Sequence, residues 1–316
     1  MTIQTIEIKS EEQWLRERLL DVTSTEVSAL FDLSPYRTAF ELYHEKRDGQ
    51  LIKFKENPRM KWGKRFEAPI AYGVAEDEGW QIERFDVYMR DTDARLGSSF
   101  DFKIKSQVDG EGILEIKNVD ALAYKRAWLD DGTTIEAPEH IELQIQHQME
   151  VSGHKWCALV AMVGGNTPKI VYRQHDPVIG KKIRAKVAEF WQSVADGVAP
   201  SADYTKDADL IAQLYSQANE GETLDANGDE NIQRLVSQYQ VATAQIKHYE
   251  TLQASYKAQL LERIGTASKV VGKWGSLACG KVKDSPAKII TPEMVGTKTG
   301  GRKGYRMFNF TFKETA

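Results

Sequence analysis

The chain has 316 residues, of which 41% are hydrophobic and 28% charged, with a formal net charge of −4. That balance belongs to a folded globular chain rather than a disordered one, and no apolar run approaches the roughly 18–20 residues that span a bilayer. The only two cysteines, Cys157 and Cys279, exclude a disulfide framework and a four-cysteine zinc or iron–sulfur centre.

Three regions follow one another. Residues 1–200 read as a mixed α/β domain, residues 201–230 as an acidic linker with helical character, and residues 231–316 as a long helix followed by a basic β unit. Helix signals cover 10–20, 24–32, 38–48 and 62–78, the second with Thr23 or Ser24 as N-cap. Strands are expected at 80–90, 97–105 and 111–118, a helix at 138–152, strands at 155–163 and 168–174, and a helix at 176–196. This order predicts an α/β (α+β) fold, a mixed central β-sheet flanked by helices on both faces. Asp203, Asp207, Asp209, Glu220, Glu222, Asp225, Asp229 and Glu230 make the linker acidic, with a turn at 227–229. Ile232, Leu235, Tyr239, Ala242, Ile246, Tyr249, Tyr256 and Leu260 keep 3–4 spacing, with Gln253 interrupting, so a long amphipathic helix or coiled-coil arm is expected. From 266 onward ten Lys/Arg stand against three Asp/Glu. There 269–277 and 305–312 read as two strands of a small hairpin unit docked on the long helix. No basic stretch precedes an apolar run at the start, so no secretory signal is expected and the cytoplasm is the simplest setting.

One constellation carries chemistry. Glu67 lies in the helical stretch Trp62-Gly-Lys-Arg-Phe-Glu67, Asp101 follows Gly97-Ser-Ser-Phe at the start of a strand, and Glu115-Ile116-Lys117 lies on the next strand. The turn near 109–112 lets these strands pair and bring Asp101 beside Glu115. Alternation sends Glu115 and Lys117 to one face. Two carboxylates a few ångströms apart make an oxygen site for Mg²⁺, with the backbone carbonyl of Ile116 as a further ligand. Such an ion polarises a phosphate and acidifies a water, while Lys117 holds the water or offsets phosphate charge. The tripeptide alone carries no weight: Glu7-Ile8-Lys9 repeats it on a plain surface strand.

The whole set resembles the core of the PD-(D/E)xK nucleases, in particular the YqaJ-like viral recombinase family that includes the phage lambda exonuclease type. The likeness spans roughly residues 12–195. It rests on Arg18…Thr23-Ser24-Thr25-Glu26, Trp62-Gly-Lys-Arg-Phe-Glu67, Gly97-Ser-Ser-Phe-Asp101, Glu115-Ile116-Lys117 and the Gln144-x-Gln146 helix.

The resemblance implies a Mg²⁺-dependent 5′-to-3′ double-strand DNA exonuclease. Mn²⁺ would be able to substitute, and two ions would sit in each active site. Asp101, Glu115, Ile116 and Glu67 would hold metal, and Lys117 would be the catalytic lysine. Arg18, Ser24, Thr25, Ser99 and Gln144 would grip the 5′-phosphate of a DNA end, with Met60 as an apolar wedge at the fork. Thr25 replaces the family's serine but keeps the hydroxyl, and a helix N-terminus near Thr23–Thr25 would add backbone N–H groups. Basic residues from Arg37 to Arg65, including Lys46, Lys53 and Lys55, with Lys125 and Arg126, would line the DNA path. A homotrimeric ring around DNA and a single-strand annealing partner are also implied, with no membrane association. The alternatives are another nuclease of this core, either an endonuclease or a RecB-like module, or a non-catalytic DNA-end-binding protein. A Cas4-like enzyme would need four cysteines. His147 is expected to be structural rather than a ligand.

Overall fold

The computed structural model describes residues 2–49, 57–216, 222–284 and, for the backbone, 309–312; Lys53, Lys55 and 305–308 lie outside the described residues. The chain divides into two compact units, 1–218 and 219–316.

In the first unit the elements run in order β1 (Ile3–Glu7), α1 (Glu11–Leu19), β2 (Val22–Thr23), α2 (Ala39–Asp48), α3 (Pro58–Glu78), β3 (Gln81–Arg84), β4 (Val87–Asp91), β5 (Leu96–Ser99), β6 (Phe102–Ser106) and β7 (Gly110–Val119). They continue through α4 (Ala121–Ala127), a small ribbon β8 (Leu129–Asp130) and β9 (Ile135–Glu136), α5 (Glu139–Ser152), β10 (Trp156–Val163), β11 (Thr167–Gln174), α6 (Pro177–Asp196) and α7 (Ala208–Leu214). Helix α3 begins four residues earlier than its apolar pattern implies, because the Asn57 side chain caps Met60 N and Pro58 supplies a ready helical φ.

The mixed α+β architecture is as expected, with one correction: the sheet is two sheets. The larger has the order β11-β10-β7-β6-β3 and the smaller β1-β4-β5-β2. Among the described residues, only β7–β10 and β2–β5 pair in parallel. The strands expected at 80–90 and 97–105 each break in the middle, at Phe85-Asp86 and Phe100-Asp101, so both pass together from one sheet to the other. Phe85 stacks on Phe100 at 4.6 Å between ring centroids, which fastens the joint. Asp101 therefore lies in the gap between sheets rather than within a strand.

Alternation on β7 separates its two faces. Leu114 and Ile116 join Phe102, Ile104, Ala158 and Val160 under Ile70, Ala71 and Val74 of α3. Ile113 faces the other way, with Cys157, Ile145 and Met149, and on that side α5 covers the sheet. Glu115 and Lys117 share the parity of Ile113, so they lie on the α5 side.

The helix expected at 24–32 is only a short 3-10 helix, Val27–Phe31. Glu26 accepts from Thr23 N at 3.0 Å, and Asp32 closes the turn in the left-handed region at φ 59°. So short a helix offers no N-terminal anion site. Farther on, Asp207 is buried and accepts from Thr38 Oγ1 at 2.6 Å and Asp203 N at 2.8 Å. The start of the acidic segment is thereby tied to α2.

In the second unit α8 (Glu230–Ile264) runs 35 residues with none buried. The stretch read as one strand at 269–277 is a hairpin of β12 (Lys269–Gly272) and β13 (Gly275–Ala278), with β14 (Asn309–Phe312) paired to β13. Gly275, at φ 133°, makes that tight return possible. Among the described residues, no helix is long and apolar enough to cross a membrane.

Candidate active site

The β6–β7 hairpin sets the geometry. Phe102 pairs with Leu114, and carrying that register one residue further places Asp101 beside Glu115. Because β6 ends there, Ile116 N has no ladder partner from β6, and it donates to Asp101 Oδ2 at 2.8 Å. A residue in a strand points its N–H and C=O to the same edge, so the Ile116 carbonyl is on the Asp101 side too. Lys117 Nζ lies 2.5 Å from Glu115 Oε1.

The charges respond to this arrangement. Burial raises the Asp101 carboxyl well above the usual carboxylate range, and the neighbouring Glu115 and Glu67 add to the rise. Burial works against the charge of Lys117, but Glu115 and Asp101 outweigh it and raise its pKa. Glu67 is also raised, first by burial and then by Glu115, although Arg84 lies 3.5 Å away. Among the described residues no trio of carboxylate, imidazole or thiol groups is closed around one point.

Helix α5 supplies further contacts to the centre. Gln144, expected at a phosphate, donates to Glu115 Oε1 at 2.6 Å. Gln148, one helical turn on, donates to Glu115 Oε2 at 2.8 Å and to Ser99 O at 3.3 Å. Two neutral donors and Lys117 therefore hold this carboxylate in one orientation. Positions 144 and 148 share a helix face, which is the signal that would have found Gln148. Gln146 points elsewhere, donating to Gln174 O and accepting from Asp176 N. His147 is fully buried, with Nε2 3.1 Å from Val22 O, so it is structural as expected.

The residues present fit a divalent cation. Asp101 and Glu115 lie side by side next to Lys117, Glu67 is near enough to add to the charge at Asp101, and Gln148 Oε1 is a buried acceptor with no donor. An all-oxygen set of this kind suits a hard ion such as Mg²⁺ or Mn²⁺ over Zn²⁺.

The proposed phosphate group is only partly assembled. Arg18 donates to Thr25 Oγ1 at 3.2 Å and lies 4.6 Å over the Trp14 ring. Trp14 Nε1 in turn donates to Ser99 Oγ at 2.8 Å. Arg18, Thr25 and Ser99 are thus linked, and Thr25 is exposed. Ser24 does not join them: it is buried and accepts from Ser98 Oγ at 3.0 Å. Glu26 is an unanticipated centre, buried among Arg18, Arg37 and Lys46 at 3.2, 3.4 and 2.9 Å. Burial would raise its carboxyl, but the three cations hold it far below the usual range. Lys46 and Arg37, expected along the DNA path, are therefore committed to Glu26, and Arg37 also to Glu45. Met60 sits half-buried in the first turn of α3. Two further side chains escaped notice: His140 and the exposed Tyr36 meet edge to face at 5.7 Å. Burial and Lys117 lower the His140 pKa.

Fold and site together define a carboxylate–lysine centre built on a β-hairpin and clamped by a glutamine-bearing helix. Residues 13–155 match the family model described as the YqaJ-like viral recombinase domain. It is homologous to the protein YqaJ of Bacillus subtilis (strain 168), at 26% identity over 259 residues, covering 76% of this chain and 78% of that one. That share of the chain is more than residues 1–218 make up, so the kinship reaches into the second unit. Among solved structures, an alkaline exonuclease from Laribacter hongkongensis aligns at 19% identity and a TM-score of 0.48, covering 64% of this chain and 99% of its own. The same enzyme in complex with dAMP aligns at 20% identity and TM-score 0.48.

Proposed function

We propose that this protein is a divalent-cation-dependent exodeoxyribonuclease that degrades duplex DNA 5′ to 3′ from its ends and leaves 3′ single-stranded overhangs for annealing recombination. The observation that carries the reading is the Asp101–Glu115–Lys117 cluster, with Asp101 held by Ile116 N and Lys117 ion-paired to Glu115. The YqaJ-like domain supports it.

Asp101, Glu115 and the Ile116 carbonyl would hold the cation, with Glu67 beside them. Once bound, Mg²⁺ would polarise the scissile phosphate and acidify a water. Gln144 and Gln148 fix both Glu115 oxygens, so the carboxylate does not rotate away as charge builds. Lys117 stays protonated beside two carboxylates and offsets charge developing on the phosphate. Arg18, whose Nη2 is shared between Thr25 Oγ1 and Glu26, would offer its remaining guanidinium N–H groups to a 5′-phosphate beside the Thr25 hydroxyl. The Ser99 hydroxyl accepts from Trp14, which leaves its own hydrogen for a phosphate oxygen. Ser99 O also bonds Gln148, which bonds Glu115, so one chain of contacts runs from the cutting centre to the end-binding group. Met60 would part the strands at the fork. A homotrimeric ring, an annealing partner and action in the cytoplasm complete the reading.

Linear 5′-phosphorylated duplex and covalently closed circles of the same sequence separate the alternatives. Linear DNA is degraded from its ends while circles persist. Digestion of closed circles would identify an endonuclease instead.

A further inference from the structure

Helix α3 has two unlike halves. Its second half buries Ile70, Ala71, Val74 and Ala75 against the large sheet. Its first half, with the Asn57 cap, carries Arg59, Lys61, Lys64 and Arg65 and no carboxylate before Glu67. On this half Trp62 and Phe66 stand one turn apart, 47% and 43% exposed. Their rings stack at 5.1 Å and 27°, and the Arg65 guanidinium lies 4.9 Å from the Trp62 centroid. A Cβ built at Gly63 would meet nothing within 4 Å, so the surface beside the rings is open. Glu67, whose charge acts on Asp101 and is acted on by Glu115, directly follows Phe66.

Two large rings held in water on a helix face call for an occupant, and the surrounding charge selects it. Arg59, Lys61 and Arg65, on a helix half whose own sequence holds no carboxylate, favour a polyanion over an apolar protein face. A duplex offers phosphates but hides its base faces, whereas a single strand offers both. We propose that the Trp62–Phe66 pair, with Arg65, is a stacking platform for the bases of single-stranded DNA leaving the cutting centre. Lys61 and Arg59 follow its phosphates. The proposal rests on the nuclease reading for the source of that strand, but its test does not depend on cleavage.

The full chain carrying Asp101→Asn is titrated without divalent cation against two labelled probes by fluorescence anisotropy. One is an oligothymidylate and the other an abasic sugar–phosphate oligomer of equal length. Trp62→Ala is expected to weaken oligothymidylate binding about tenfold or more while changing abasic binding less than about twofold. Trp62→Phe restores most of the difference, and light scattering shows an unchanged particle mass. Equal loss on both probes, no loss on oligothymidylate, or a drop in particle mass that assigns the rings to a contact between copies would each overturn the platform. Cleavage by Asp101→Asn in a separate nuclease assay would instead sink the nuclease reading and leave the probe ratio intact.

Discussion

Lowering the pH should destabilise the first unit through His147. The imidazole is fully buried, its Nε2 is 3.1 Å from Val22 O, and its Nδ1 has no partner. Burial depresses its pKa from the model-peptide 6.5 to about 4. The unfolded chain therefore takes up a proton first as pH falls. The neutral ring's contribution is complete above pH 6.5, declines below it, and is fully lost below about pH 4. A shift of that size corresponds to roughly 3 kcal/mol, most of it lost by pH 4.5. Against a typical domain stability of about 5–15 kcal/mol this is a large share. His147→Gln keeps an amide N–H for Val22 O and removes the titration. Urea unfolding of both proteins between pH 7.5 and 4.5 gives the difference in stability at each pH. That difference should move by roughly 2–3 kcal/mol in favour of the variant as pH falls. A constant difference across the range would refute the buried neutral imidazole.

The remaining predictions concern packing and the site. A Cβ at Gly112 would lie 2.4 Å from Trp156 Cε2, whereas one at Gly73 would meet nothing within 4 Å. Gly112→Ala should therefore cost about 1–3 kcal/mol and lower Tm in a thermal melt, while Gly73→Ala, inside α3, should raise it slightly. Gln148→Leu strips Glu115 Oε2 and Ser99 O of a donor. Cleavage rates titrated with Mg²⁺ should fall about 10- to 100-fold with far-UV circular dichroism unchanged. Chelation by EDTA should abolish cleavage and added Mg²⁺ restore it, since the cluster of Asp101, Glu115 and Glu67 is opposed by Lys117. Residual cleavage in excess chelator would contradict a metal-held site.

Much of the site was readable because strand geometry obeys a short rule. Alternation puts Glu115 and Lys117 on one face, and a hairpin of ordinary length brings Asp101 alongside. The break between β5 and β6 was not readable. Residues 97–105 are continuously strand-like, and only the coincident break at Phe85-Asp86 on the neighbouring strand reveals a change of sheet. The bond from Gln144 to Glu115 was not readable, because a glutamine amide serves a phosphate or a carboxylate equally well. Its donation to Glu115 depends on which face of α5 meets the sheet. Ser24 and Thr25 are adjacent hydroxyls that the sequence cannot separate. Pairing of β2 with β5 turns Ser24 inward to Ser98 and leaves Thr25 outside with Arg18. Lys46 and Arg37 looked like surface cations because nothing local announces that Glu26 is buried between them.

The central claim is that Asp101 and its neighbours cut DNA. Asp101→Asn keeps an oxygen for Ile116 N and removes one carboxylate from the cluster, so the hairpin should survive while cation binding fails. On a 5′-phosphorylated linear duplex with Mg²⁺, the variant should lose cleavage by about a thousandfold or more and still bind DNA ends. Cleavage at the wild-type rate would contradict the account.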